Sequence, residues 1–164
     1  HNEFSPDQRM FIDWINYCNE HKDNPHLPRF SGFESFKFHG KNYIQARMED
    51  LEELSREVRY LVGHLEEVIN AKKKNYKKEL TAVSQFAAHT AAEEGEAIWY
   101  DLNNTVEHLG GKEAAVNLLR TVYQVKKFGA EHGFAVDLHR GNYMARPDGT
   151  IVVNDPYVIW LRPG

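Results

Sequence analysis

The chain has 164 residues, 41% of them hydrophobic and 12% aromatic, which is enough apolar surface for one folded core and too little length for two large enzyme domains. Twenty Lys and Arg against twenty-four Asp and Glu leave a formal charge of -4, so the surface lacks the basic excess that a general nucleic-acid partner requires. No apolar run reaches the roughly 18–20 residues of a membrane span, the first ten residues lack a signal-peptide pattern, and Cys18 is the only cysteine, which excludes an internal disulfide and points to a reducing cytoplasm.

Ser5-Pro6-Asp7-Gln8 combines a capping hydroxyl, a proline at the first helical position and a glutamine three residues after the cap. It predicts a helix over 6–21, with Met10, Phe11, Trp14, Ile15 and Cys18 on one buried face. Asn24-Pro25 and Pro28 stop helical geometry. Alternating aromatic and β-branched residues over 33–48, around His39-Gly40-Lys41-Asn42, predict a β-hairpin. Leu51, Leu54, Val58, Leu61, Leu65 and Val68 keep a three-four spacing that predicts one amphipathic helix over 50–73. Lys72, Lys73, Lys74, Lys77 and Lys78 then read as the solvated end of that helix, where cations suit the helix dipole. Further helices are expected over 79–93, 96–109 and 112–132. The last of these is the most apolar, with Ala115, Leu118, Leu119, Val122, Val125 and Phe128. Trp14, Trp99 and Trp160 are expected to fill the core or its rim.

Gly133 suits the left-handed end of that last helix. Beyond it, VDLHRGN leads into a second hairpin, 143–146 with 150–153 around Pro147-Asp148-Gly149, and then into Asn154-Asp155-Pro156. Folding this hairpin brings Asn142 and Asp155 to the same open end. An amide oxygen beside a carboxylate offers the hard oxygen ligands that Mg²⁺ takes when phosphates and water complete its shell. Asp137 lies on the loop beside them, where a carboxylate can orient a hydroxyl nucleophile and accept its proton.

The intervals Asp137 to Asn142 and Asn142 to Asp155 resemble the catalytic loop, hairpin and metal-binding turn of the protein-kinase-like superfamily. The form with His139 two residues after the Asp, and with Asp155-Pro156, is most similar to small bacteriophage-encoded protein kinases. It is also similar to the aminoglycoside and choline phosphotransferase branch. The resemblance implies an α+β fold in which residues 1–48 form a partial N-lobe (helix C, strands four and five). Residues 49–164 then form the hinge and a mostly helical C-lobe. It further implies ATP and Mg as cofactors, Asp137 as base, Asn142 and Asp155 as metal ligands, and His139 as a supporting residue of the catalytic loop. Met48 becomes the gatekeeper, and Glu49, Asp50 and Leu51 the hinge whose main chain meets adenine.

The sequence carries no glycine-rich phosphate loop and no strand-three Val-Ala-x-Lys motif, and it starts at His1 rather than Met, as expected of a trimmed chain or a fragment. The lysine that positions the α- and β-phosphates in the family therefore has no counterpart here. Two functions stay open. One is a phosphotransferase acting on a protein hydroxyl; the other is a catalytically impaired kinase remnant that binds a protein partner. The missing N-lobe would come from upstream or from another chain. A cytoplasmic location in a bacterium or a phage-infected cell goes with both. The nine histidines show no zinc spacing, and Cys18 reads as a small buried hydrophobe.

Overall fold

A computed structural model describes residues 4–69 and 74–158. Helix α1 (Pro6–Glu20) starts as its sequence dictates, with the Gln8 N–H donating to Ser5 Oγ at 3.2 Å and the Ser5 N–H to Gln8 Oε1 at 2.9 Å. It buries Trp14, Ile15, Tyr17 and Cys18. The hairpin of β1 (Phe30–Phe38) and β2 (Lys41–Met48) runs antiparallel through a two-residue turn at His39 and Gly40, both left-handed (φ 51° and 77°). Positive φ at both central positions matches the right-handed twist of the strands. The hairpin rests on α1 through Gln8 Nε2, which donates to the Asn42 carbonyl at 2.7 Å, and through the edge-on Phe11–Phe30 pair.

The expected helix over 50–73 is not continuous. Residues 49–55 are not helical, α2 spans Arg56–Val62 from a Ser55 cap, and after Gly63 and His64 a single turn follows as α3 (Leu65–Val68). The apolar spacing persists across that break, because Leu54, Leu61, Val62 and Leu65 are all buried; periodicity recorded the burial but not the turn. Helix α4 (Tyr76–Glu93) follows, so Lys74, Lys77 and Lys78 flank a helix start rather than a helix end. Lys72 and Lys73 lie outside the described residues. The Lys74 ammonium sits 4.7 Å from the Tyr123 ring centroid.

Helix α5 covers only Leu102–His108, not 96–109. Asp101 and Asn104 form a reciprocal cap that fixes its start, and the Tyr100 hydroxyl donates to the Glu57 carbonyl at 2.6 Å, holding the preceding segment extended. Trp99 is 70% exposed, against the expectation of a core or rim residue; Trp14 is buried, and Trp160 lies outside the described residues. Helix α6 (Lys112–His132) has the expected bounds, with Ala115, Leu118, Val122 and Val125 fully buried. Each such aliphatic burial contributes about 1.5–3 kcal/mol for the larger side chains.

Three two-stranded antiparallel pairs complete an α+β fold: β1 with β2, β3 (Ala135–Val136) with β6 (Tyr157–Val158), and β4 (Tyr143–Ala145) with β5 (Ile151–Val153). Among the described residues no helix is long and apolar enough to cross a membrane.

Candidate active site

Helix α6 ends at Gly133 in the left-handed conformation (φ 75°), and β3 carries the chain into Asp137. The Asp137 N–H donates to the Pro156 carbonyl at 2.7 Å next to the β3–β6 pair, which staples together the two ends of segment 137–156. A 3-10 turn at Arg140–Asn142 feeds β4, and the Asn154 N–H donates to the Asn142 carbonyl at 2.7 Å. Asp137, Asn142 and Asp155 thus meet at the open end of the β4–β5 hairpin.

Each of the three has a defined local state. Asn142 Nδ2 donates to the Asp137 carbonyl, so its Oδ1 is left without a hydrogen bond among the described residues. Asp155 is one of two non-glycine residues with positive φ among the described residues, at 53°; a left-handed Asp is tolerated but disfavoured, and such strain persists where surrounding structure imposes it. Partial burial, and then the charge of Asp137, push the Asp155 pKa up. A carboxylate whose ionisation is opposed by burial and by a neighbouring carboxylate, beside an amide oxygen that accepts no hydrogen bond among the described residues, suits a divalent cation. Among the described residues no three His, Cys, Asp or Glu side chains gather as a metal cage. A cation on Asn142 and Asp155 therefore has to complete its shell with phosphate and water, the habit of Mg²⁺.

His139 shapes the loop. Its Nδ1 accepts the Gly141 N–H at 3.0 Å, and its Nε2 lies 3.7 Å from Asp137 Oδ2, outside direct hydrogen-bond range. A Cβ at position 141 would fall 2.8 Å from His139 Cε1, so a larger residue there would displace the exposed His139 ring. A cleft of about 340 Å³ between α1 and the 155–157 segment, lined by Met10, Trp14, Asp155 and Tyr157 among others, leaves Asp155 accessible.

The expected hinge divides into two parts. Met48 closes β2 opposite Phe30. Glu49 is structural: its N–H donates to the Arg29 carbonyl at 3.0 Å, and its carboxylate receives Arg146 through Nε at 2.7 Å and Nη2 at 3.0 Å. The Arg146 hydrogen bond holds the Glu49 carboxyl below the usual range. Arg146 also donates to the carbonyls of Pro25 and Leu27. Asp50 and Leu51, by contrast, make no hydrogen bond among the described residues. Glu52 exchanges both backbone bonds with Ala145, at 2.7 and 2.8 Å, which lays this segment along β4.

Sequence reasoning missed Arg146, His26 and Glu94. His26 is buried, its ring bonded to the Ile151 carbonyl at 2.8 Å, while its own carbonyl accepts the Val153 N–H at 2.8 Å. In this way the segment after α1 becomes an extra edge on β5. Burial lowers the His26 pKa. Only the extended crossing imposed by Pro25 and Pro28 signalled that this segment could reach a strand. Glu94 grips Arg140 in the loop with bonds of 2.8 and 3.0 Å; the long sequence separation of the pair left no local pattern to find.

No protein-family model matches the chain, and neither a curated protein nor a solved structure matches it at a significant level.

Proposed function

We propose that the chain is a protein-kinase-like phosphotransferase of the small phage or bacterial type, cytoplasmic in its host, which uses Mg-ATP to phosphorylate a protein hydroxyl. The observation that carries this reading is the convergence of Asp137, Asn142 and Asp155 at one hairpin mouth, with the Asn142 Oδ1 accepting no hydrogen bond among the described residues and the Asp155 carboxyl pushed up by burial and by Asp137. Asn142 and Asp155 would hold the cation, whose chemistry is to neutralise phosphate charge. Asp137 accepts the proton of the acceptor hydroxyl as that oxygen bonds to the γ-phosphorus and the bond from phosphorus to the bridging oxygen of ADP breaks. The backbone groups of Asp50 and Leu51, which make no hydrogen bond among the described residues, would supply the adenine contacts, beside Met48.

Titration calorimetry of the full chain with ADP, with and without Mg²⁺, tests this. Tightening by Mg²⁺ in the wild type and its loss in Asp155→Asn, which keeps a residue tolerant of the left-handed backbone, are the expected results. Equal binding with and without Mg²⁺ in both proteins overturns the reading. A second reading, a catalytically impaired remnant that binds a protein partner, is favoured by one observation: Phe36, Phe38 and Tyr43 lie exposed on the β1–β2 hairpin, an aromatic surface on which a partner protein would pack. Absence of nucleotide binding together with an intact fold selects it.

A further inference from the structure

Arg140 follows His139 in the loop, yet its guanidinium turns away from Asp137. Nη1 and Nη2 form a fork onto the two oxygens of Glu94, at 2.8 and 3.0 Å. Glu94 caps the C-terminus of α4, and the same carboxylate accepts the Tyr60 hydroxyl of α2 at 3.3 Å. The guanidinium also lies 5.2 Å from the Tyr60 ring centroid, a cation–π distance. A Cβ at Gly63 would touch Arg140 Cβ at 3.4 Å, so the base of the loop seats directly on the end of α2. Two helices therefore hold one arginine, which sits three residues from Asp137 and two from Asn142. Arg59 and the Arg56–Glu96 pair border the same polar cleft of about 190 Å³. The Arg140 hydrogen bond, the largest influence, holds the Glu94 carboxyl below its usual range.

We infer that Glu94 is a positioning residue: through Arg140 it fixes the turn 139–142, and with it the direction in which Asn142 presents Oδ1 to the cation. Planar bidentate pairing restricts orientation as well as distance, and a single lysine or amide does not reproduce it. The inference rests on the reading of Asn142 and Asp155 as metal ligands. It adds that a residue outside the loop sets the metal dependence of nucleotide binding.

The test compares Mg-free ADP and Mg-ADP affinities of the full chain for wild type, Glu94→Gln, Arg140→Lys and the double variant. Positioning predicts that Mg-free ADP affinity stays within about twofold in every variant, while the tightening produced by Mg²⁺ falls about fivefold in each single variant, in proportion to a half-exposed pair. Because both changes break the same contact, the double variant loses no more than either single one. An unchanged Mg²⁺ effect in Glu94→Gln, or an equal fall of both affinities as general damage would give, overturns the inference alone. A wild type in which Mg²⁺ has no effect overturns the metal-site reading and this inference with it.

Discussion

The β1–β2 hairpin runs from Phe30 opposite Met48 to Phe38 opposite Lys41, and leaves almost all of β1 facing solvent. The β4–β5 hairpin pairs only Tyr143, Met144 and Ala145 with Val153, Val152 and Ile151, and five of those six residues are buried. A long isolated ribbon gains little from its own ladder, since two strands without a packed face are marginal in water. The short one is clamped on both sides, by Glu52 at Ala145 and by the His26 carbonyl at Val153. That clamping allows its open end to hold Asp155 in a left-handed conformation beside Asp137, a local cost the surroundings must sustain. Buried support beneath the proposed cation site thus belongs to the shorter hairpin, and exposed aromatic surface to the longer.

The sharpest way to break this contrast is to attack the buried hairpin. Val153→Asp places a carboxylate at a fully buried position and is expected to cost more than about 4 kcal/mol, visible as loss of the cooperative transition in urea. A folded variant would mean that β5 is less enclosed than described. Next in size, Arg146→Ala removes the partner of Glu49 and frees the Pro25 and Leu27 carbonyls, an expected loss of about 2 kcal/mol by denaturant titration. Its pH dependence follows from the depressed Glu49 pKa: the stabilisation is present above the unfolded carboxylate pKa and disappears as pH falls through the lower folded value. The gap between wild type and Arg146→Ala should therefore narrow in acid, leaving the share that comes from the Pro25 and Leu27 carbonyls.

Asp155→Asn has the opposite sign. A raised carboxylate pKa means that the folded chain carries a penalty once the group ionises, absent below its unfolded pKa and complete above its folded one. Near neutral pH the metal-free variant should melt slightly higher than wild type, and the gap should close below about pH 4. A lower melting point at neutral pH would show that Asp155 is paired rather than opposed. The smallest effect is expected on the exposed ribbon, where Phe36→Ser should change stability by less than about 1 kcal/mol, although Phe36 stacks on Tyr43 at 5.6 Å.

How much of this was legible depends on the range of the signal. The bounds of α6, the cap of α1 and both hairpins follow from patterns written within a few residues, such as Ser5 with Gln8 or the turn at Pro147-Asp148-Gly149. The meeting of Asp137, Asn142 and Asp155 was legible because one hairpin folds them together. The break of the helix expected over 50–73 was not, since Gly63 and His64 interrupt the backbone while Leu61 and Leu65 keep the apolar spacing. Glu49 was read as hinge main chain, yet its side chain answers Arg146, almost a hundred positions away, and no local pattern reports such a pair. Trp99 failed for a related reason: aromatic character favours burial only where an element turns it inward, and the cap at Asp101 leaves it outside.

The mouth of the β4–β5 hairpin is proposed to bind a divalent cation with nucleotide. Backbone amide NMR of the full chain with ADP and substoichiometric Mn²⁺ tests it most directly, because the paramagnetic ion broadens signals only near where it binds. Selective loss of the signals of Asp137, Asn142 and Asp155, while those of the 30–48 hairpin tip persist, is the expected result. Broadening centred elsewhere, or none at all, would contradict it.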